Sequence, residues 1–367
     1  MKKFLGVLFL MVAAVVLASC GPSYEGEKIV LITDKGDIDD KSFNQGAWEG
    51  VKEFAEKEKI EHSYLKPADA TNSDYIDSIE QAIADGATVI VLPGFLFESP
   101  LNAVQADYPD TKFVILDGNP AYAENGTLES NVHSVFYAEE QSGFLAGYAA
   151  VKEGYRRLGF MGGMAVPAVQ RFGHGYVQGA AVAAKELELA EGAITIDYLY
   201  TGDFAATPEV KAAAATLFNN GVEVIFACGG AVGQSVMAAA AEIGEGKVVI
   251  GVDVDQSADS PTVITSATKE LANSVILALE AIYITKKWEA DFAGKSVVLD
   301  VTKNGVGLPM DNSKFNEFST ADYEAIYEKL VAGTVTVSDA IGEFGDDGNA
   351  SKQFETDQVK VTVVPFG

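Results

Sequence analysis

Lys28-Ile29-Val30-Leu31-Ile32-Thr33 runs into Asp34-Lys35-Gly36-Asp37-Ile38-Asp39-Asp40-Lys41, and that into Ser42-Phe43-Asn44-Gln45-Gly46-Ala47-Trp48-Glu49-Gly50-Val51. The first six residues are an apolar, β-branched run of the kind that makes a short buried strand. From Phe43 onward, apolar side chains recur at Ala47, Val51, Phe54 and Ala55, which is helical spacing. Ser42 and Gln45 stand in capping-box register, so Ser42 is the expected N-cap and Gln45 closes back on it. The acidic loop between strand and helix then lies at a strand's carboxyl end and a helix's amino end, where open α/β sheets bind ligands. Phe43 and Asn44, in the first helical turn, can hold an aromatic face and an amide beside a pocket filled with carboxylates.

Working outward, the same alternation repeats. Strand-like runs at 28–33, 63–66, 88–93 and 112–117 are separated by helical patterns near 43–58, 73–85 and 99–107. A second series has strands at 157–162, 195–200, 223–228 and 248–252, with helices near 168–188, 208–220 and 233–243. Alternating strands and helices call for parallel sheets flanked by helices. Two such series predict an α/β protein of two similar lobes with a cleft between them. Residues 297–367 carry less pattern: a helix is expected over 322–331 and an acidic, glycine-rich loop over 342–356.

The amino end reads differently. Lys2 and Lys3 precede an apolar stretch to Val16, then Leu17-Ala18-Ser19-Cys20. A charged start, a short apolar core and small residues before a cut make a secretory signal over residues 1–19. As a helix, Phe4 to Ser19 would span ~24 Å, short of the roughly 30 Å hydrocarbon core. The ending resembles a bacterial lipobox, which implies cleavage before Cys20 and acylation of its sulfur, with two or more acyl chains needed to hold a protein on a membrane. Residues 20–27 then read as a lipidated tether. Cys228 is the other cysteine; it ends an apolar run and reads as a small buried residue rather than a nucleophile.

The formal charge is −27, and loss of the leader removes two lysines and no acid. That field repels phosphate backbones and anionic surfaces, which argues against nucleic acid and for a neutral or cationic small ligand. Catalytic templates fail. The three histidines have no metal-ligand spacing, and neither a nucleophile elbow nor a phosphate-binding loop occurs. Gly230 and Gly233 fit the end of a dinucleotide fingerprint, but Cys228 replaces its first glycine. A calcium loop through Asp37, Asp39 and Lys41 fails because Ser42 and Trp48 stand where glycine and glutamate are required. No cofactor and no metal are expected.

The opening segment resembles the signature of the basic membrane protein family, the nucleoside-binding lipoproteins of ABC transporters. The resemblance runs on through Val91-Leu92-Pro93-Gly94-Phe95, Phe113-Val114-Ile115-Leu116-Asp117, Asn131-Val132, Gly143-Phe144-Leu145-Ala146-Gly147, Gly159-Phe160-Met161-Gly162-Gly163-Met164, Arg171-Phe172, Gly175-Tyr176, Ile250 to Gln256, and Thr265-Ser266 before Lys269. It implies a two-lobed periplasmic-binding-protein type I fold whose chain crosses between lobes three times. The crossings are expected near 130, 255 and 287, giving lobe I as 28–130 and 256–287 and lobe II as 131–255 and 288–367. It also implies a monomer anchored by lipid on the extracytoplasmic face of a bacterial cell membrane, passing a nucleoside, in particular a purine nucleoside, to an ABC permease and its ATPase.

Site residues follow by matching positions. Phe43 and Phe204 correspond to the aromatics that sandwich the base, each stack being worth roughly 1–3 kcal/mol. Asp34, Lys35, Gly230, Asp253 and Lys269 match the ribose positions, where a charged acceptor gains about 1.5–3 kcal/mol per hydrogen bond. Lys269 would also offset the clustered negative charge. Asn44 and Asp117 are the candidates for the base edge. Asp255 could exchange roles with Asp253, and Asp37, Asp39 and Asp40 suit turn formation or capping. Two other function classes stay open: a surface lipoprotein that reports its ligand to a receptor, and a nucleoside hydrolase, whose calcium-chelating acid cluster is here half replaced by isoleucine.

Overall fold

Each apolar run of the first series forms a strand, and each periodic stretch the helix that covers it. The computed structural model describes residues 24–244 and 246–367. Cys20, the leader and the start of the tether lie outside the described residues. In chain order the first series is β1 (Lys28–Ile32), α1 (Phe43–Glu58), β2 (Glu61–Leu65), α2 (Asn72–Ala84), β3 (Val89–Pro93), α3 (Glu98–Val104), β4 (Lys112–Leu116) and β5 (Val132–Tyr137). The second is α4 (Glu139–Glu153), β6 (Arg157–Gly162), α5 (Pro167–Glu186), β7 (Ile194–Tyr200), α6 (Pro208–Asn219), β8 (Val224–Cys228), α7 (Val232–Ile243), β9 (Val248–Asp253) and β10 (Val263–Lys269). There follow α8 (Leu271–Tyr283), β11 (Lys295–Leu299), β12 (Val306–Gly307), α9 (Thr320–Val331) and β13 (Val359–Val363).

The strands make two sheets, ordered β11-β5-β4-β3-β1-β2 and β12-β10-β9-β8-β6-β7-β13. Pairing is parallel except where β12 runs antiparallel to β10. Helices cover both faces, so β3 and β8 are buried along their whole length. This is the two-lobed type I architecture, with one sheet per lobe.

The crossings fall further along the chain than expected. β5 pairs with β4, Phe113 opposite Val132, so the chain leaves lobe I near 138 rather than 130. β10 pairs with β9, moving the return to about 270 rather than 255. α8 then lies on α1, so closely that a Cβ on Gly50 would sit 2.5 Å from the Ala272 carbonyl oxygen. β11 joins the edge of the first sheet beside β5, so the last crossing comes near 300 rather than 287. The physical reason is that an apolar run shows that it is a strand, whereas the sheet it joins is decided by which strand it pairs with, a choice its own pattern does not carry. The tether also ends sooner: Tyr24 packs edge-on against Tyr283 at 5.3 Å between ring centres, and the Glu27 carboxylate accepts from the Thr88 hydroxyl at 2.6 Å.

One helix pair matters for the site. The backbones of α4 and α5 touch at glycines: a Cβ on Gly143 would fall 2.0 Å from the Phe172 carbonyl oxygen, and one on Gly175 2.0 Å from that of Glu140. This close approach brings the start of α4 against the second turn of α5. Beyond α9, the chain runs extended along α5. Three α5 side chains one helical turn apart hold it: Gln170 accepts from Gly342 N, the His174 ring pairs with Ala340 O, and Gln178 accepts from Ser338 N.

Candidate functional site

A cavity of about 670 Å³ lies between the lobes, and all nine residues singled out from the sequence line it. Its volume is in the range of sites that enclose a small organic molecule. Its walls are the carboxyl ends of parallel strands: Asp34 follows β1, Asp117 follows β4, Gly230 follows β8, Asp253 ends β9 and Lys269 ends β10.

The loop from Asp34 to Asn44 is held by its own polar atoms. Asp34 Oδ1 accepts from Gly36 N and from Asn44 Nδ2, both at 2.8 Å, and Asn44 Oδ1 accepts from Asp34 N at 3.2 Å. The second Asn44 amide hydrogen goes to Asp40 Oδ2 at 3.0 Å. Both Asn44 amide hydrogens are therefore engaged, and the residue fixes Asp34. Burial pushes the Asp34 carboxyl up to about 6, and the nearby Asp40 and Asp253 add to that, while the Gly36 and Asn44 donors pull the other way.

The start of α1 also departs from expectation. Ser42 occupies the N-cap but its hydroxyl makes no cap bond. Asp40 takes that role, accepting from Ser42 N, Asn44 N and Gln45 N at 2.9–3.1 Å. Gln45 Oε1 accepts instead from Lys41 N. The Ser42 hydroxyl is thereby free to donate across the cleft to Asp253 Oδ2 at 2.5 Å. Turn formation or capping was the role expected for Asp37, Asp39 and Asp40 alike. Asp37, by contrast, pairs with Lys66 on the outside. Lys35 likewise crosses the cleft, its ammonium 2.5 Å from Asp203 Oδ2. That half-exposed ion pair engages the group assigned to ribose, and Asp203 was not foreseen as its partner.

Opposite the loop lies a buried charge cluster. Lys269 Nζ is 2.5 Å from Asp117 Oδ2, 3.0 Å from Glu139 Oε1 and 3.9 Å from Asp253 Oδ1. The approach to Glu139 is close in distance but off the hydrogen-bonding direction. Glu139, fully buried at the start of α4, also accepts from Arg171 Nε at 2.6 Å. Burial opposes ionisation of Glu139, but Arg171 and Lys269 overcome it and hold its carboxyl down at about 2. Burial raises Asp117 to about 7 even though Lys269 pulls it back. Burial likewise works against the Lys269 charge, and its three carboxylate neighbours outweigh it and hold the ammonium protonated. Asp117 and Asp253 both adopt left-handed backbone, with φ of 53° and 67°. For residues other than glycine this is strained geometry, of the sort that clusters at binding sites.

The aromatic faces come from both lobes. The half-buried Phe43 ring lies 5.0 Å from Lys269 Nζ, a cation–π contact shared with Phe172. Phe204 fits a notch that only glycine leaves: a Cβ on Gly163 would be 2.3 Å from its ring. Gly230 stands against the same side chain with φ of 55°, so its own part is to turn the chain after β8 beside Phe204. Asp255 points away, accepting from Asn312 Nδ2 at 2.7 Å; Asp253 is the acid in the cavity. Cys228 is buried at the cavity's floor, and burial pushes its thiol well up.

Sequence reasoning missed Glu139 as a member of the cluster and gave Arg171 no role. The available signal was a lone arginine in the apolar face of α5 and a paired acid, Glu139-Glu140, opening α4. It also missed Ile341, which the extended segment along α5 brings to the cavity wall.

Residues 27–340 match the family described as ABC transporter substrate-binding protein PnrA-like. Basic membrane protein A1 of Borrelia garinii subsp. bavariensis is 31% identical over 324 residues, which cover 86% of this chain and 91% of that protein. A protein from Lactococcus lactis subsp. cremoris named ABC transporter nucleoside-binding protein BmpA is 29% identical over 368 residues, 92% of this chain and 99% of its own length. In three dimensions the chain is similar to an ABC transporter solute-binding protein from Aeropyrum pernix K1, with a TM-score of 0.72 and 22% identity, covering 85% of this chain and 93% of that one. At that identity the likeness shows the fold alone.

Proposed function

Because the chain belongs to the PnrA-like family of ABC transporter substrate-binding proteins, we propose that its ligand is a nucleoside, and in particular a purine nucleoside. One observation carries this reading: a single cavity holds aromatic faces from both lobes, Phe43 and Phe204, beside carboxylates at strand ends of both lobes, Asp34 and Asp253. A neutral nucleoside has a flat base to be stacked and vicinal hydroxyls that donate to charged acceptors. In this reading Phe43 and Phe204 cover the base, Asp34 and Asp253 take the ribose hydroxyls, and Lys269 balances their charge. The name of the lactococcal relative supports it.

Binding proceeds without covalent chemistry. A ligand that touches both lobes shifts the population toward the closed form, and an ABC permease with its ATPase receives the cargo outside the cytoplasm. Attachment runs through acyl chains on Cys20, and the protein works as a monomer. The test is the ligand that co-purifies with the protein, identified by mass spectrometry after denaturation and confirmed by calorimetry. A nucleoside is expected. A sugar or an amino acid in its place, with no calorimetric response to any nucleoside, would sink the reading.

A further inference from the structure

Part of the cavity wall comes from a segment outside helix and strand. Residues 336–343 form neither and run along α5 as a strap, tied into lobe II by α9 before it and by β13, paired with β7, after it. Side chains of α5 do most of the fastening. Gln170 Oε1 accepts from Gly342 N at 2.7 Å and its Nε2 donates to Glu343 O at 3.0 Å. The His174 ring lies 2.8 Å from Ala340 O, and Gln178 bonds both backbone atoms of Ser338, at 2.8 and 2.9 Å. Gly345 N adds a long bond to Ala165 O at 3.4 Å. Between these points Ile341 lines the cavity. A turn follows, closed by Asp346 N to Glu343 O at 3.1 Å with Gly345 at φ of 83°, and it carries Phe344 at its tip. The Phe344 ring, 66% exposed, lies 6.3 Å from that of Phe95, within the range of aromatic contact. Phe95 belongs to lobe I, just after β3, and lines the cavity itself. Ile341 and Phe344 both fall beyond residue 340, where the match to the family ends.

An irregular segment, largely exposed and fastened by side chains, sits at the low-stability end of a structure, where moving parts are found. The Phe344–Phe95 contact joins the two lobes, so it exists only when they are together. We propose that the strap is a latch on the closed state. Phe344 seats against Phe95 as the lobes meet, holds Ile341 over the cavity, and sets how fast the ligand leaves without choosing which ligand enters. This rests on the inter-lobe cavity as the ligand site of the reading above, whichever molecule fills it. Encounter takes place with the open form, in which the two rings are apart. Loss of the latch therefore speeds release and leaves association alone.

Stopped-flow association and chase kinetics on the full chain, with guanosine as probe, test this. Phe344→Ala should release guanosine about twofold to tenfold faster, the equivalent of one aromatic pair. Its association rate, and its ratio of guanosine to inosine affinity, should match wild type. Phe344→Tyr keeps the ring and should restore the wild-type release rate. Gln178→Ala loosens the strap at a point outside the cavity and should also speed release. Added to Phe344→Ala it should contribute less than it does alone, because both act through one element. Release from a folded Phe344→Ala at the wild-type rate, a change confined to association, or no rescue by Phe344→Tyr overturns the latch. A folded wild type that does not bind guanosine overturns the nucleoside reading instead. The same rates are then read with the compound that co-purifies, and equal release from wild type and Phe344→Ala still sinks the latch.

Discussion

The Asp34 loop and the Lys269 cluster both keep carboxylates out of water, by opposite means. In the loop, Asp34 and Asp40 are satisfied by neutral donors within a few residues: Gly36 N, Asn44 Nδ2, Ser42 N and Gln45 N. In the cluster, Asp117 and Glu139 are paired with cations from β10 and α5, more than thirty residues away or on the other lobe, and each keeps one oxygen without a hydrogen bond among the described residues. The loop is a preformed surface of lobe I. The cluster is complete only when Asp117 of lobe I meets Lys269 of lobe II, so it belongs to the closed arrangement. Neutral donors hold a shape; buried charges report whether two bodies are together.

The harshest break of this contrast is Lys269→Met. It strips the buried acids of their shared cation, and breaking a buried pair costs about 3–5 kcal/mol. Chemical denaturation should show a loss of that order, whereas a change under about 1 kcal/mol, the size of an exposed pair, would mean the cluster is not the electrostatic keystone described.

The pH dependence separates the two regions next. Asp34 and Asp117 have folded values of about 6 and about 7, above their ordinary 3.8. Each therefore takes up a proton on folding, and its contribution to stability is full at low pH and is lost as pH climbs from about 4 to 7. Glu139, held near 2, works the other way: its contribution is present above pH 4.5 and is lost only as pH falls toward 2. Asp34→Asn removes the loop's share, so between pH 4 and 7 its stability should fall by about 2–3 kcal/mol less than that of wild type. Parallel curves for the two proteins would show that Asp34 does not titrate as its surroundings demand.

Phe43→Ala tests the loop as a binding surface. Loss of one stack should weaken guanosine and 2′,3′-dideoxyguanosine alike by about 1–3 kcal/mol, roughly tenfold to a hundredfold. Asp34→Asn should instead penalise guanosine selectively, since only the ribonucleoside offers it hydroxyls. Unchanged guanosine affinity in a folded Phe43→Ala protein would make Phe43 ordinary core. The mildest change is Lys35→Ala. Its pair with Asp203 spans the lobes as Lys269 does, but half exposed, and such pairs are worth about 0.2–1 kcal/mol. A loss comparable to that of Lys269→Met would erase the distinction between exposed and buried bridges.

Every helix expected in the two series is present, with α1 over the very span that its apolar spacing implied. Helical and strand periods are local properties, and this chain's turns and glycines agree with them. The residues of the candidate site were legible on two grounds. Asp34, Asp117 and Asp253 each sit at the end of an apolar run, where parallel strands converge on one cleft, whereas Lys269 was placed by its match to the family's motif. What a residue does there was less legible. Asn44 is aimed by Asp34 and Asp40, and Ser42 gives up its capping role to reach Asp253.

By itself, then, the sequence determined the order of strands and helices within the two series and the strand ends that carry polar side chains. Backbone periodicity and turn chemistry are set by residues a few positions apart. Tertiary structure alone decided that β5 and β10 join the sheets of β4 and β9 before the chain crosses. It alone put Asp253 in the cavity and Asp255 outside it. It also drew Glu139 and Arg171 together through glycine contacts between α4 and α5. Sheet membership, side-chain aim and buried ion pairs depend on partners up to two hundred residues distant, and a local pattern holds no information about which partner is met.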